Sequence, residues 1–226
     1  MKKFLKHFAI VSTVYLVLLF LGKDNWAWVL KPFLLPFLIL TAYSSKDFPT
    51  KKWLLSALIF SWIGDVILMF ADKGELYFIF GLVSFLIAHI LFIILFIKQD
   101  SERKTFNKIL FGMGVLLVSL YLFGMLSVLF PTLGDLKIPV SIYAFTISLM
   151  LIMAIRGSLT WQKPMNLLIL NGAFAFVTSD SLLAINKFYN PLPNATFLIM
   201  VTYIFAQYLI TLGILKMNEK KQPLQD

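Results

Sequence analysis

Residues 171–183 read NGAFAFVTSDSLL, an apolar stretch with one carboxylate, Asp180, well inside it. On a membrane-spanning helix such a carboxylate costs about 2.5–3.5 kcal/mol to insert, so its presence needs a reason. Residues 61–70, SWIGDVILMF, repeat the arrangement in the first half of the chain with Asp65. Two carboxylates in similar settings point to one polar site built inside a helix bundle.

The composition fits a membrane setting. The chain has 226 residues, 60% of them apolar, and a mean hydropathy of +0.87. That leaves too few polar residues to skin a soluble domain, whereas lipid tails cover a membrane protein. There is no cysteine, which excludes a disulfide framework and a thiolate metal site. The net charge of +9 would suit nucleic acid. In a chain this apolar, basic loops that set membrane orientation account for it, and no nucleic-acid partner is expected. The opening 21 residues, MKKFLKHFAIVSTVYLVLLFL, share the basic start and apolar run of a signal peptide. The run is long and no small-residue cleavage site follows, so it reads as an uncleaved first span.

Outward from Asp65 and Asp180, eight apolar runs of spanning length can be cut from the chain: 8–21, 26–43, 53–70, 78–97, 109–130, 138–155, 165–185 and 196–216. Each is near the ~20 residues a helix needs to cross a ~30 Å hydrocarbon core. None alternates as a spanning strand does. Turn and breaker residues separate them, among them Gly22, Gly74, Pro131, Gly134, Pro191 and Pro193. The expected fold is therefore all-α, a single eight-helix transmembrane domain over 1–217 with a polar, disordered tail at 218–226. Assigned to alternate sides, the lysines and arginines divide fifteen to five. That bias puts both termini in the cytoplasm. The absence of long extensions suggests a bacterial inner membrane.

The two halves look alike. Lys31-Pro32 opens the second span and Lys137-Ile138-Pro139 the sixth; the third and seventh carry their aspartates late; the fourth and eighth carry His89 and Gln207. Four spans per half make this a parallel pseudo-repeat about an axis along the membrane normal. At 1.5 Å per residue, Asp65 and Asp180 both reach the outer half of the bilayer. Tyr203 lies one turn from Gln207 on one helix face, and Ser61 one turn before Asp65. Lys187 follows Asp180 by seven residues, which puts both on one face of a regular helix. Gly64, Gly81 and Gly172 allow neighbouring helices to approach closely around these groups.

Each residue also has a bland reading. The aspartates could pair with Lys31 and Lys187 as structural contacts, although a matched pair argues for function. His89, Tyr143, Tyr203 and Gln207 could be interhelical hydrogen-bonding groups, and Lys31 could snorkel to the interface. Zinc or another transition metal wants at least three His, Cys or carboxylate ligands together. With two histidines in all, one of them near the N-terminus, no metal site or other cofactor is implied. There is no nucleophile elbow, phosphate-binding loop or dinucleotide fingerprint. Ser61, His89 and Asp65 are the right types for a triad, but nothing in their spacing favours one. What remains is paired-carboxylate chemistry. Two nearby buried carboxyl groups cannot easily both ionise, so one acts as an acid while the other stays basic, the division of labour used to cleave acetal-like bonds.

At these residues the chain resembles the lysoplasmalogenase, or YhhN-like, family of polytopic membrane proteins. The likeness rests on Lys31-Pro32, on Gly64-Asp65-Val66-Ile67-Leu68-Met69, and on Gly81 followed by Ala88-His89. It continues with Pro139 and Tyr143, with Ser179-Asp180 ahead of Asn186-Lys187-Phe188, and with Tyr203 and Ala206-Gln207. It covers essentially the whole chain. The resemblance implies an eight-span hydrolase in the bilayer that cleaves the vinyl ether bond of a lysophospholipid, the lysoplasmalogen, to a fatty aldehyde and a glycerophospho-base. It makes Asp65 and Asp180 the essential acids. Lys31 and Lys187 are then candidates for the phosphate, and His89, Tyr143, Tyr203 and Gln207 for orienting substrate or water. The rival reading is a proton-coupled transporter, whose sign would be helices interrupted at matched positions in the two halves.

Overall fold

A computed structural model describes residues 2–99 and 105–219. All regular structure among them is helical. The helices are α1 (Lys2–Phe20), α2 (Asp24–Leu30), α3 (Leu34–Tyr43), α4 (Lys51–Leu68), α5 (Glu75–Lys98), α6 (Lys108–Leu129), α7 (Lys137–Thr160), α8 (Met165–Ala184) and α9 (Ala195–Glu219). A 3-10 turn, Lys31–Phe33, joins α2 to α3, and a π turn, Ile185–Tyr189, extends α8.

Every expected run coincides with helix. Seven segments among the described residues are long and apolar enough to cross a bilayer: Lys3–Phe20, Asp24–Tyr43, Glu75–Lys98, Lys108–Thr132, Gly134–Thr160, Met165–Tyr189 and Ala195–Glu219. The protein is an integral membrane protein. The remaining expected run is α4, whose 18 residues carry Lys51, Lys52 and Asp65. Lipid forces this architecture, because only helices and closed barrels satisfy every backbone group within hydrocarbon.

Two boundaries differ from the sequence expectation. Lys31-Pro32 does not open the second span but interrupts it, since Pro32 has no N–H to continue the α-helical ladder. Trp62 of α4 holds the break, its Nε1 donating to the Pro32 carbonyl at 2.8 Å. Pro139, by contrast, falls in the first turn of α7, where a missing N–H is harmless. The break at Lys31 thus has no counterpart inside α7, and among the described residues the matched interruption of these two spans that a transporter reading asks for is not found. At the other end, α9 runs on to Glu219, and Asn218 is buried. Its side chain and that of Gln99 each donate to the other's amide oxygen at 3.3 Å, and Asn218 also donates to the Ile214 carbonyl at 2.8 Å. The rest of the expected tail, 220–226, lies outside the described residues.

The chain forms two compact units, Met1–Leu95 and Phe96–Asp226. In the first, α3 packs against α1 and α4 around Phe8, Tyr15, Leu34, Leu38, Leu54 and Leu58. Helices α4 and α5 meet where a Cβ on Gly64 would lie 2.7 Å from the Phe85 ring and 3.3 Å from the Gly81 carbonyl oxygen. In the second unit α8 and α9 are the most intimate pair. A Cβ on Gly172 would fall 2.9 Å from the Ile210 nitrogen and 3.0 Å from the Ala206 oxygen. Lipid tails are as apolar as leucine, so helices in a bilayer associate through such close packing rather than through hydrophobic expulsion. Apolar residues elsewhere point outward; on α6, Leu116, Leu117, Leu120 and Phe123 are exposed, as lipid-facing residues are.

Candidate functional site

In the first unit, α4 presents Ser61, Gly64 and Asp65 to its inner side, all buried. Asp65 is only 4% exposed. Lys31, half-buried on the 3-10 turn, and Tyr15, buried on α1, both lie within electrostatic reach of the Asp65 carboxylate. The Trp62–Pro32 hydrogen bond sets this arrangement, because it fixes the turn that carries Lys31 onto the helix that carries Asp65. Ser61 Oγ is buried with no hydrogen-bond partner. On α5, His89 is fully buried, one turn beyond Phe85, the residue that covers Gly64. Ser84 donates to the Phe60 carbonyl at 2.7 Å, so the antiparallel register of α4 and α5 carries His89 about one turn past the level of Ser61.

In the second unit, Asp180 is half-buried near the C-terminal end of α8. The Tyr143 hydroxyl of α7 donates to its Oδ2 at 2.5 Å. The next residue, Ser181, bonds to the hydroxyl of Tyr121 on α6 and donates to the Val177 carbonyl at 2.5 Å. Ser179 donates to the Ile199 carbonyl of α9 at 3.0 Å. Three consecutive residues of α8 thus reach three different helices, which immobilises the carboxylate. One turn before Asp180, Phe176 takes the ring of Tyr203 edge-on at 5.6 Å. Tyr203 in turn receives the Gln207 amide at 3.4 Å. Tyr203 and Gln207 are buried.

Of the residues expected at the site, Lys31, Asp65 and His89 therefore fall in the first unit, and Tyr143, Asp180, Tyr203 and Gln207 in the second. Lys187 is placed differently from its expected setting. It sits exposed on the π turn, whose i→i+5 bonding takes more residues per turn than an α-helix, so seven residues no longer return it to the face of Asp180. The sequence reading missed Tyr15, Trp62, Tyr121 and Thr211. Thr211 had a usable signal: it continues the four-residue spacing of Tyr203 and Gln207. Among the described residues, no three His, Cys, Asp or Glu side chains gather as a metal requires.

Comparison with known proteins agrees with the motif. The model of the YhhN family matches residues 26–214, a stretch that holds both aspartates and every other candidate residue. The lysoplasmalogenase TMEM86A of Bos taurus is 30% identical over 194 residues, 79% of this chain and 70% of that protein. The human lysoplasmalogenase TMEM86B is 33% identical over 165 residues, 72% of this chain and 63% of the relative. A lysoplasmalogenase of Mycobacterium tuberculosis (strain CDC 1551 / Oshkosh) is 30% identical over 169 residues, 72% of this chain and 60% of its own. No solved structure gives a significant match. On the extent of the family match and the identity to these relatives, the chain belongs to the YhhN family.

Proposed function

We propose that this protein is a lysoplasmalogenase: a hydrolase that cleaves the vinyl ether bond of a lysophospholipid within the bilayer. The observation that carries the reading is the run of relatives named lysoplasmalogenase, matched across the stretch that contains Asp65 and Asp180. The site chemistry supports it. A vinyl ether is hydrolysed by protonation at carbon, and both aspartates sit on spanning helices where water and competing acids are scarce.

In the mechanism proposed, one carboxylic acid protonates the vinyl carbon that is not bonded to the ether oxygen, which leaves an oxocarbenium ion and a carboxylate beside it. The second carboxylate takes a proton from water as its oxygen adds to the ether-bearing carbon. The hemiacetal then collapses. Its hydroxyl proton returns to the first carboxylate, the second gives its proton to the departing glycerol oxygen, and the C–O bond breaks. Aldehyde and alcohol leave, and both aspartates return to their starting states. In this reading Tyr143 holds Asp180 in place, and Lys31 receives the lipid phosphate. Lys187, exposed at the outer end, meets the headgroup, while His89, Tyr203 and Gln207 order substrate or water.

The reading includes eight spans with α4 as the third, a single transmembrane domain, both termini in the cytoplasm, and residence in a bacterial inner membrane. Parallel pseudo-repeated halves remain part of it. The test is aldehyde release from a lysoplasmenyl lipid by purified protein in detergent, where no gradient exists to drive transport. Wild type should release aldehyde. Asp65→Asn and Asp180→Asn should each reduce turnover by about 10³-fold or more, since each removes an essential proton-transfer group, while eluting as folded protein. Full turnover by either variant would refute the two-carboxylate mechanism.

A further inference from the structure

Helical serines and threonines usually satisfy their hydroxyls by bonding back to the carbonyl one turn earlier. In this protein Thr41, Thr146, Thr178 and Thr202 all do so, at 2.7 to 2.9 Å. Thr211 on α9 does not. Its hydroxyl is fully buried and has no partner. One turn earlier, Gln207 is also fully buried; its Nε2 donates to Tyr203, and its Oε1 has no partner. Turning the amide over exchanges its two ends and still leaves one unpaired. Two buried polar atoms in succession on one helix face are costly to leave unmade, and buried groups of this kind are ordinarily satisfied by ordered water.

Tyr203, Gln207 and Thr211 follow one another at four-residue intervals, a stripe about 12 Å long at 1.5 Å per residue. Its Tyr203 end packs on Phe176, one turn before Asp180 on α8. The stripe therefore leads from the interior of the spanning helix toward the carboxylate. Ile210, beside it on the same helix, is spent on packing against Gly172.

We infer that Tyr203, Gln207 and Thr211 form a buried polar track that holds the water consumed in hydrolysis and delivers it toward Asp180, with Thr211 as a positioning residue. The inference rests on the hydrolase reading. That reaction uses one water per turnover in a place where lipid excludes it, and a track of unpaired acceptors supplies what an apolar helix face cannot.

Two measurements test it. The chain contains no cysteine, so single replacements report without background. In full-length protein reconstituted in vesicles, Thr211→Cys should react with a small cationic methanethiosulfonate about tenfold faster than Ile210→Cys, because only a hydrated thiol ionises to the reactive thiolate. Equal rates overturn the track, and this arm decides whether the stripe is wet even if wild type releases no aldehyde and the hydrolase reading fails. In aldehyde release, Thr211→Val should lower kcat about tenfold with KM unchanged, and Thr211→Ser should restore it. A valine variant with wild-type kcat, whatever its melting temperature, overturns the positioning role.

Discussion

Replacing Tyr143 by phenylalanine removes one hydroxyl and nothing else of size. The ring is buried at 9% exposure, and phenylalanine keeps its packing. What is lost is the 2.5 Å hydrogen bond to Asp180 Oδ2. Hydrogen bonds to charged groups contribute about 1.5–3 kcal/mol. If the bond holds Asp180 in place through the transition state, its loss lowers kcat/KM by roughly 10- to 150-fold at 1.36 kcal/mol per decade. The assay is aldehyde release from a lysoplasmenyl lipid in detergent, with thermal unfolding followed in parallel. Tyr121 supplies an internal control. Its hydroxyl meets the neighbouring residue, Ser181, which is not a carboxylate. A neutral hydrogen bond contributes only about 0.5–1.5 kcal/mol, so Tyr121→Phe should cost turnover roughly 2- to 13-fold, about a tenth of the Tyr143→Phe loss where both bonds are at full strength. The reasoning is refuted if Tyr143→Phe retains full kcat/KM. It is equally refuted if Tyr121→Phe matches it in damage, because the effect would then come from loosening α8 and not from the carboxylate.

Three further outcomes follow from the geometry. Gly172→Ala drives a methyl onto the Ile210 nitrogen and the Ala206 oxygen, backbone atoms that cannot step aside; overpacking of about 1–3 kcal/mol should lower the melting temperature, and activity should fall because Gln207 adjoins Ala206. Trp62→Phe deletes the donor to the Pro32 carbonyl and loosens the turn that carries Lys31; with about 0.5–1.5 kcal/mol at stake, KM for a lysophospholipid should rise roughly 2- to 13-fold in steady-state kinetics with little change in kcat. For orientation, Lys46→Cys and Lys187→Cys in sealed vesicles of known sidedness should be labelled by an impermeant thiol reagent from opposite faces, and labelling from the same face would end the eight-span count.

The helices were legible because the bilayer leaves little choice. About 20 apolar residues between breakers must become a helix, and all eight expected runs are helical. The misreadings occur where the helical repeat changes. Pro32 was visible, but its place as an interruption depends on Trp62, a residue 30 positions away that nothing in the local sequence links to it. The π turn at Ile185–Tyr189 has no sequence sign at all, so Lys187 was assigned a face by counting sevens along a helix that is not α throughout. Thr211 shares the four-residue spacing of Tyr203 and Gln207, but that its hydroxyl is unpaired, unlike the self-satisfied hydroxyl of Thr202, is seen only in the coordinates.

A deeper reason separates what was read from what was not. In a soluble protein the apolar stripe of a helix announces its inward face. A lipid-embedded helix is apolar all round, so that signal vanishes, and the pairing of Tyr143 with Asp180 or of Tyr121 with Ser181 cannot be deduced from periodicity. Helix rotation must be read from residues that lipid would not choose: carboxylates, amides, and the glycines that admit a neighbour. Gly64 adjoins Asp65 and meets the Gly81 carbonyl across the α4–α5 contact; Gly172 meets the backbone of α9 at Ala206 and Ile210, the residues that flank Gln207. Close approach and polar function coincide because they answer one problem. A polar group in hydrocarbon must be enclosed by other helices, and helices enclose most tightly where one of them has no side chain.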